Sequence, residues 1–375
     1  MPDPLHVCLL HDYREHRQTS MRLYAEHLGD ALAGRGVRVE RVRPPEVLPE
    51  RLRRPWALDR LDSYWGRFVR YPRTARRLRA DVYHVVDHGQ GHLVLHLDPA
   101  RTVVTCHDVI LLALAAGRIP RGPRPPRVAT AILRRAVAAL GRARLVVAVS
   151  ENTRRDLAEL AGIDPAAVRV IPPGLNYPFR PDPGRRGETR RRLGLPAKAP
   201  VVLHVGQTGF YKNVEGCLQV VARLRAGGLD TAFVRAGQPL RPAQVALAAR
   251  LGVAGAVHDL GPLPSDDLAA LYAAADVLLF PSLYEGFGWP PLEAMASGLP
   301  VVSSRAGGLE EVVGDAALTA EPEDDAQLAE HVAAALTVPR VAEGLRVAGA
   351  ARAAGFGWAR TAGLLLDAYR ALAET

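Results

Sequence analysis

The chain is poor in cysteine and contains no long apolar run. Its three cysteines, Cys8, Cys106 and Cys217, are far apart and set in apolar surroundings. We therefore predict reduced core residues, with neither a disulfide framework nor a cysteine metal site. No segment approaches the ~18 consecutive apolar residues of a membrane span, and the first ten residues lack the basic start and apolar core of a signal peptide. We expect the protein to stay in the cytoplasm.

Lysine is nearly absent as well. Of 48 basic residues only Lys198 and Lys212 are lysine, which leaves 46 arginines. The net charge of +9 suits an anionic partner such as a nucleoside diphosphate, an anionic membrane surface or nucleic acid. GC-rich coding produces the same excess of arginine, so the arginine count by itself does not indicate nucleic acid, and no recognised nucleic-acid-binding motif is present.

What is present is a globular composition with about two domains' worth of residues. Apolar residues make up 48% of the chain and charged residues 23%, which excludes a disordered protein. The chain opens as a βαβ unit: an apolar strand, Leu5 to Leu10, a helix from about Ser20 to Ala33, and a strand, Val37 to Val42.

The most informative stretch, Ser282 to Pro300, follows an apolar run that ends at Phe280. It predicts a strand, a glycine loop, a short helix begun by Pro290 and Pro291, and a further strand from Val301. Within it, Glu285 lies on the loop at the carboxyl end of the strand, and Glu293 lies eight residues later, in the first turn of the helix.

Two carboxylates at that edge of a sheet suit the hydroxyls of a sugar and a ribose. Open α/β sheets bind ligands along the carboxyl ends of their strands, and an ionised carboxylate accepts hydrogen bonds from paired hydroxyls. Gly286 and Gly288, which flank Phe287, leave backbone amides open to a ligand. The alternative is an ordinary strand-to-helix turn with two solvated acids.

A second glycine loop follows the strand Val201 to Val205. It contains Gly206, Gln207, Lys212 and Asn213 just before a helix, and a helix start favours a bound phosphate. A lysine here, in a chain that otherwise uses arginine, indicates a site for a compact ammonium group. The alternative for Lys212 is a solvated lysine near a helix start.

In the first half of the chain, His107 is the main candidate. It follows the strand Thr102 to Cys106, where an imidazole could contact a sugar hydroxyl. The alternative is a hydrogen-bonded structural histidine. The loop after the first strand contains no glycine, but Arg14 and Arg17 could meet an anionic group there.

The segment 51–79 carries ten arginines with aromatic residues interleaved among them. Such a segment can lie on an anionic membrane surface on the inner side of the membrane. The alternative is an amphipathic helix whose arginines face water.

The stretch around Glu285 and Glu293 resembles the Glu-x7-Glu motif of the family 4 retaining glycosyltransferases, and the similarity runs from about Val201 to Gly314. The resemblance implies the α/β GT-B fold, with two Rossmann-like domains whose parallel sheets face a cleft. It further implies that Glu285 contacts the donor sugar, Glu293 holds the ribose, Lys212 contacts the diphosphate, and His107 lies beside donor sugar and acceptor.

The same resemblance implies further donor contacts around these residues: Gly206, Gln207, Asn213, Gly286, Phe287 and Gly288. Many family members carry an arginine earlier in the second glycine loop, where Gln207 or Thr208 stands here. Arg14 or Arg17 would then have to meet the diphosphate or the acceptor. We expect no metal and no cofactor besides the nucleotide sugar, because the paired acids Asp266–Asp267 and Asp324–Asp325 suit helix starts.

Proline-rich composition between Pro172 and Pro200 marks the connection between the domains. We predict an acceptor-side domain at 1–180, a linker at 181–200, a donor-side domain at 201–355, and a last helix at 356–375 that packs back on the first domain, as the resembled fold implies.

The predicted function is transfer of a hexose from a nucleoside diphosphate sugar to a hydroxyl of a glycan, lipid-linked or small-molecule acceptor, with retention of configuration. GDP-mannose is favoured over UDP-glucose as the donor. The alternatives are a sugar-nucleotide epimerase of related fold and a non-catalytic nucleotide-sugar-binding or membrane-associated assembly protein. A nicotinamide-dependent enzyme is disfavoured because no G-x-G-x-x-G follows the first strand.

Overall fold

The computed structural model describes residues 4–11, 19–44 and 62–374. Within them the chain forms two parallel sheets of six strands each, with helices packed on both. The inner strands of both sheets are short, mostly apolar runs with almost no exposed surface, as expected where helices cover both faces of a parallel sheet, and the edge strands are more exposed. This architecture confirms the predicted two-domain α/β fold.

The first sheet has the strand order β2-β1-β3-β4-β5-β6, all parallel. Its direction of winding reverses between the neighbours β1 and β3. The strands are β1 His6–Leu10, β2 Arg38–Val42, β3 Val82–Val85, β4 Thr102–Cys106, β5 Leu145–Ala148 and β6 Val168–Val170.

The second sheet has the order β12-β11-β10-β7-β8-β9, which is the doubly wound Rossmann arrangement. Its direction of winding reverses between β7 and β10. The strands are β7 Val201–Gly206, β8 Ala232–Gly237, β9 Val257–Asp259, β10 Val277–Phe280, β11 Val301–Ser304 and β12 Leu318–Ala320.

Most helices lie between successive strands, and several of them bury an apolar face. In the second unit, Val220, Leu328 and Val332 pack against strand residues such as Phe233. The α-helices are Thr19–Ala33, Tyr71–Ala75, Ile110–Ala115, Arg127–Ala138, Glu151–Ala161, Arg186–Arg192, Val214–Ala226, Pro242–Arg250, Ser265–Ala274, Trp289–Ala296, Leu309–Val313, Asp325–Thr337, Pro339–Ala353 and Trp358–Ala373.

The chain divides into two compact units. The first comprises 1–116, 124–176 and 357–375, and the second comprises 117–123 and 177–356. The last helix, Trp358–Ala373, lies in the first unit, where the Tyr369 hydroxyl is 2.6 Å from Nδ1 of the buried His84. The Trp358 ring packs edge-on against Tyr24, with centroids 5.2 Å apart.

The segment predicted as a linker contains a helix that is anchored in the second unit. Arg190 donates to Asp276 Oδ2 at 2.6 Å and to the carbonyl oxygen of Ala274 at 3.0 Å. Asp276 Oδ2 also accepts from the backbone N–H of Val201 at 2.7 Å. This ion pair therefore fixes the amino-terminal edge of the second sheet, where β7 and β10 begin.

None of the described helices is long and apolar enough to cross a membrane.

The close approach of β7 and β8 at their carboxyl ends requires glycine. Gly237 has φ +122°, and a Cβ there would collide with the carbonyl oxygen of Gly206. We expect Gly237→Ala to lower the free energy of unfolding of the second unit by about 2 kcal/mol or more, from strain and collision. The midpoint of urea unfolding measures the change. Gly255→Ala, where nothing lies within 4 Å, should stay within about 0.5 kcal/mol; equal effects of both changes would contradict the prediction.

Candidate active site

The reversal point of the second sheet brings two loops together. Strands β7 and β10 are parallel neighbours, with Val202 opposite Val277. The loops that follow them therefore leave the same edge of the sheet side by side, at the position where open α/β sheets bind ligands. A backbone hydrogen bond of 2.7 Å from Leu283 to Tyr211 joins the two loops directly.

The two loops bring Lys212 and Glu285 into contact. Lys212 Nζ donates to Glu285 Oε1 at 2.6 Å, and the side chains are only 13% and 11% exposed. The ammonium group also lies 5.3 Å from the ring centroids of both Tyr211 and Phe280, where the faces of the rings attract a cation. The site thus holds one positive and one negative group, largely desolvated and within reach of each other.

A third loop holds the backbone of Glu285 in place. The N–H of Gly308 donates to the carbonyl oxygen of Glu285 at 2.8 Å. Gly307 has φ +61°, and a Cβ there would collide with that same oxygen. Because the position of Glu285 depends on this contact, the Gly307–Gly308 turn after β11 belongs to the site.

The residues that follow Glu285 make a tight turn into the helix Trp289–Ala296. Gly288 has φ +113°, a conformation that favours glycine. Phe287 is buried, and its ring packs edge-on against Trp289 and Phe356 with centroids 5.8 Å away in each case. In the described structure Phe287 therefore serves the packing of the turn, and its predicted donor contact stays a prediction.

Glu293 is the fifth residue of the helix and lies just beyond the predicted first turn, because the helix begins at Trp289. It is buried, and its Oε2 accepts a hydrogen bond of 2.8 Å from the Tyr272 hydroxyl. Burial raises the pKa of Glu293 to about 7, although the hydrogen bond from Tyr272 opposes the shift. The Tyr272 ring is held edge-on by Phe179 at 5.5 Å. Sequence reasoning missed this tyrosine.

The loop after β7 begins at Gly206, with φ +142°, and ends at Asn213, with φ +51°. Gln207 Oε1 accepts from the Tyr211 hydroxyl at 3.1 Å. The Asn213 amide donates to the carbonyl oxygens of Pro281 and Pro322, at 3.1 and 2.7 Å, and its Oδ1 accepts from the Gly216 N–H. Asn213 thus starts the helix Val214–Ala226 and sets the position of Lys212 beside it.

Sequence reasoning also missed a buried arginine beneath this loop. Arg235 lies on β8 with 0% of its surface exposed, and its guanidinium donates to the carbonyl oxygens of Gly206 and Gln238 at 2.9 Å each. Its Nε donates to Nδ1 of His204 at 3.3 Å. Burial, together with the charges of Arg235 and Lys212, holds the pKa of His204 well below its usual value. The signal in the sequence was an arginine inside the apolar strand A-F-V-R-A-G.

His107 lies in the first unit and is buried at the end of β4. Its Nε2 donates to the carbonyl oxygen of Val86 at 2.8 Å, and its ring packs edge-on against Tyr24 at 4.9 Å. Burial lowers the pKa of His107, which favours the neutral imidazole. These contacts fix the ring; its predicted role beside a sugar stays a prediction. Arg14 and Arg17 lie outside the described residues.

One group of potential metal ligands occurs among the described residues, and it lies in the first unit. His6, Cys8 and Glu40 place one ligand atom each within 4.8 Å of the others. The Cys8 thiol donates to Glu40 Oε2 at 3.4 Å, and burial and Glu40 raise the pKa of Cys8 to about 12. The thiol therefore stays protonated, and the group is accounted for by its internal hydrogen bond.

Both halves of the chain match known sequence families. Residues 21–177 match the family described as Glycosyltransferase Family 4, and 185–352 match Glycosyl transferases group 1. Among curated proteins, a D-inositol 3-phosphate glycosyltransferase of Acidothermus cellulolyticus is 39% identical over 59% of this chain and 52% of its own length. One of Frankia alni is 34% identical over 72% of this chain and 68% of its own length. The chain thus spans about half to two thirds of these relatives.

Solved structures of the same architecture cover nearly the whole chain. Sucrose-phosphate synthase from Thermosynechococcus elongatus superposes with a TM-score of 0.79 at 20% identity, over 98% of this chain and 99% of its own. The Anabaena protein HepE, in complex with UDP and glucose, superposes with a TM-score of 0.75 at 18% identity, over 98% and 100%. At such identities the likeness shows the GT-B fold.

The raised pKa of Glu293 makes stability depend on pH. The folded protein binds this proton more tightly than the unfolded chain, whose glutamate has a pKa near 4.5, so stability is lost as pH rises from 4.5 to about 7. Over that pH range we expect the free energy of unfolding of the unmodified chain to fall by about 3 kcal/mol from this group, and we expect Glu293→Gln to abolish that fall. Urea unfolding at pH 5, 6, 7 and 8 measures it. The exposed Glu330 provides the control variant Glu330→Gln, and an unchanged pH slope in Glu293→Gln would refute the assignment.

Proposed function

Because the chain belongs to the family 4 glycosyltransferases, we propose that it transfers a hexose from a nucleoside diphosphate sugar to a hydroxyl acceptor with retention of configuration. The observation that carries the proposal is the largely buried Lys212–Glu285 pair at the reversal point of the second sheet. A sugar nucleotide needs a cation for its diphosphate and an acceptor for its sugar hydroxyls, and this pair supplies both.

Lys212 is the group that stabilises the departing diphosphate. When the bond from the anomeric carbon to the diphosphate breaks, negative charge develops on the leaving oxygen, and an ammonium group nearby lowers the barrier. A charge pair about 4 Å apart at an effective dielectric near 20 is worth roughly 4 kcal/mol. If this interaction forms only in the transition state, it corresponds to about a thousandfold in rate.

Glu285 positions the sugar, and Glu293 holds the ribose. Glu285 accepts from Lys212, so hydroxyls of a bound donor sugar would replace that ammonium group as its hydrogen-bond donors. Glu293 is buried beside Tyr272. Ribose hydroxyls would add donors to its carboxylate and favour the charged form, so donor binding would lower the pKa of Glu293.

The arrangement of these acids supports the proposed retention of configuration. Each of the two carboxylates of this site already has a partner, Lys212 for Glu285 and Tyr272 for Glu293. Both carboxylates are assigned to binding the donor, so we propose a displacement in which the acceptor enters on the side of the leaving diphosphate. His107 is proposed to hold the donor sugar near the acceptor, and Arg14 and Arg17 to meet an anionic group of the diphosphate or acceptor.

For the donor we keep GDP-mannose as the first candidate and UDP-glucose as the second. The structural neighbour HepE was solved in complex with UDP-glucose as well as with UDP and glucose. For the acceptor, the names of the relatives make D-inositol 3-phosphate the first compound to test. Lipid-linked and glycan acceptors complete the panel. An epimerase would convert the donor without an acceptor, and a binding protein would leave it unchanged.

We expect Lys212→Ala and Glu285→Gln each to lower the rate of transfer by about a thousandfold, because each removes half of the charged pair. The measurement is release of nucleoside diphosphate from GDP-mannose or UDP-glucose in the presence of the acceptor panel. Lys198→Ala is the matched control, since Lys198 is the other lysine of the chain and is exposed.

Each removal leaves its partner charge buried, so the folded fraction of both variants is measured alongside the rate. Turnover within threefold of the unmodified chain in both variants would exclude the mechanism. A new sugar nucleotide formed from donor alone would favour the epimerase instead.

A surface of the first unit supports contact with an anionic membrane. Residues 62–65 are helical and continue into a π-helical turn, Gly66–Arg70, and the helix Tyr71–Ala75. Three aromatic rings of this segment are about half exposed, and the chain around them carries exposed arginines. The rings are Tyr64, Trp65 and Phe68, and the arginines are Arg70, Arg73, Arg76, Arg77 and Arg79. We propose that this aromatic–arginine segment lies on anionic lipid headgroups.

We expect the triple change Tyr64→Ser, Trp65→Ser and Phe68→Ser to weaken binding to phosphatidylglycerol vesicles by about tenfold or more. Binding of the variant no longer transfers three aromatic rings from water into the lipid interface. Vesicle co-sedimentation measures binding. The double change Val245→Ser and Val347→Ser, which removes exposed apolar side chains of the second unit, is the control. Equal binding of both variants, or no preference for anionic over zwitterionic vesicles, would exclude the proposed contact.

A further inference from the structure

Arg235 is a fully buried cation whose guanidinium donates hydrogen bonds to backbone carbonyl oxygens. Its guanidinium donates at 2.9 Å to the carbonyl oxygen of Gly206 and at 2.9 Å to that of Gln238, and its Nη2 lies 3.5 Å from the carbonyl oxygen of Gln207. The two glycines, Gly206 and Gly237, make room for this approach, since they pair across β7 and β8 with positive φ.

No carboxylate in the described part of the chain forms an ion pair with Arg235. The acidic groups that act on it through space are Asp259 and Glu215. Asp259 Oδ2 accepts from the backbone of Leu240 at 2.6 Å, and Glu215 Oε1 accepts from Arg241 at 2.8 Å. A guanidinium keeps its proton under all ordinary conditions, so its positive charge remains uncompensated by direct contact.

The contacts of Arg235 orient the peptide groups of the loop after β7. The carbonyl oxygen of Gly206 accepts from Arg235 and also from the N–H of Gln238 at 3.1 Å. Because the peptide unit is planar and trans, the N–H of Gln207 points in the opposite direction from that oxygen. The guanidinium of Arg235 therefore orients this peptide unit so that its N–H donor points away from Arg235 and Gln238.

The same guanidinium is linked to Lys212 through packed rings. Arg235 Nε donates to Nδ1 of His204, whose ring stacks on Phe280 with centroids 5.7 Å apart. Lys212 Nζ lies 5.3 Å from the centroid of that phenylalanine ring. The loop 206–213 carries a single basic side chain, Lys212, and this is paired with Glu285. A diphosphate bears more negative charge than one paired lysine offsets.

We propose that Arg235 is the positioning residue of the diphosphate half of the donor site: it sets the Gly206–Gln207 turn so that the amide faces the diphosphate, and it places a fixed positive charge behind that turn. This inference rests on the proposed function and identifies what in the same site recognises the diphosphate. It assigns the role to a residue beneath the loop that has no direct contact with the ligand.

The test compares the affinity of the full chain for nucleoside diphosphates with its affinity for the nucleosides. The probes are GDP against guanosine and UDP against uridine, measured by calorimetry. The dissociation constant of the nucleoside divided by that of its diphosphate measures how much affinity the diphosphate adds. We expect Arg235→Gln to lower this ratio about 30-fold, which corresponds to about 2 kcal/mol, while the nucleoside alone binds within threefold. Arg235→Lys keeps the charge without the fork, so we expect a loss of about fivefold.

Arg190→Gln is the matched control. Arg190 is 4% exposed and lies in the same unit, but its contacts with Asp276 and Ala274 are at the opposite, amino-terminal edge of the sheet. It should alter stability and leave the diphosphate ratio unchanged. An unchanged ratio in a folded Arg235→Gln variant, or an equal loss in Arg190→Gln, would overturn the inference.

Should Arg235→Gln fail to fold, Arg235→Lys decides the question, because an undiminished ratio in that variant also removes the positioning role. The unmodified chain separates this failure from that of the proposed function. If the unmodified chain binds GDP no more tightly than guanosine, and UDP no more tightly than uridine, the donor site itself is refuted and the inference with it.

Discussion

The candidate site of the second unit depends on one electrostatic constraint, the contact of the largely buried Lys212 and Glu285 side chains where β7 and β10 end. Desolvating two charges is costly, and their attraction offsets the cost only when the geometry is good and further partners are present. Here the rings of Tyr211 and Phe280 surround the ammonium group. The pair is therefore a weak source of stability but a prepared site, since each group is held ready for an opposite charge or a hydroxyl brought by a ligand.

Backbone geometry makes that arrangement attainable. Glu285 is held through its own carbonyl oxygen by Gly308, which a side chain at Gly307 would prevent. Lys212 is set by Asn213, whose side chain joins the loop to the backbone at Pro281 and Pro322. Both charged groups thus depend on small or turn-forming residues elsewhere in the chain, and substitutions at those residues would displace the charges without touching them.

Most strands and helices could be predicted from the sequence, because each rests on a local pattern, whereas the meeting of the two loops in one site was implied by the family resemblance. Apolar runs of four to six residues indicated the buried strands, and glycine loops before helix starts indicated Lys212 and Glu285. Tyr272 could not be predicted as the partner of Glu293, since it lies 21 residues earlier on another helix. For Arg235 a local signal existed, but a buried arginine on an apolar strand does not reveal which carbonyl oxygens it will meet.

The charges of the site differ in how readily they can change, and this difference suits an anionic leaving group. The guanidinium of Arg235 keeps its proton under ordinary conditions, and it is fixed by backbone oxygens. Glu293, in contrast, has a pKa raised to about 7 by burial, so it can be neutral before a ligand arrives and charged once hydroxyls donate to it. The positive charge of Arg235 is thus fixed in place before a ligand binds, whereas the charge of Glu293 can change on binding. A neutral Glu293 adds no repulsion to a diphosphate that approaches this site.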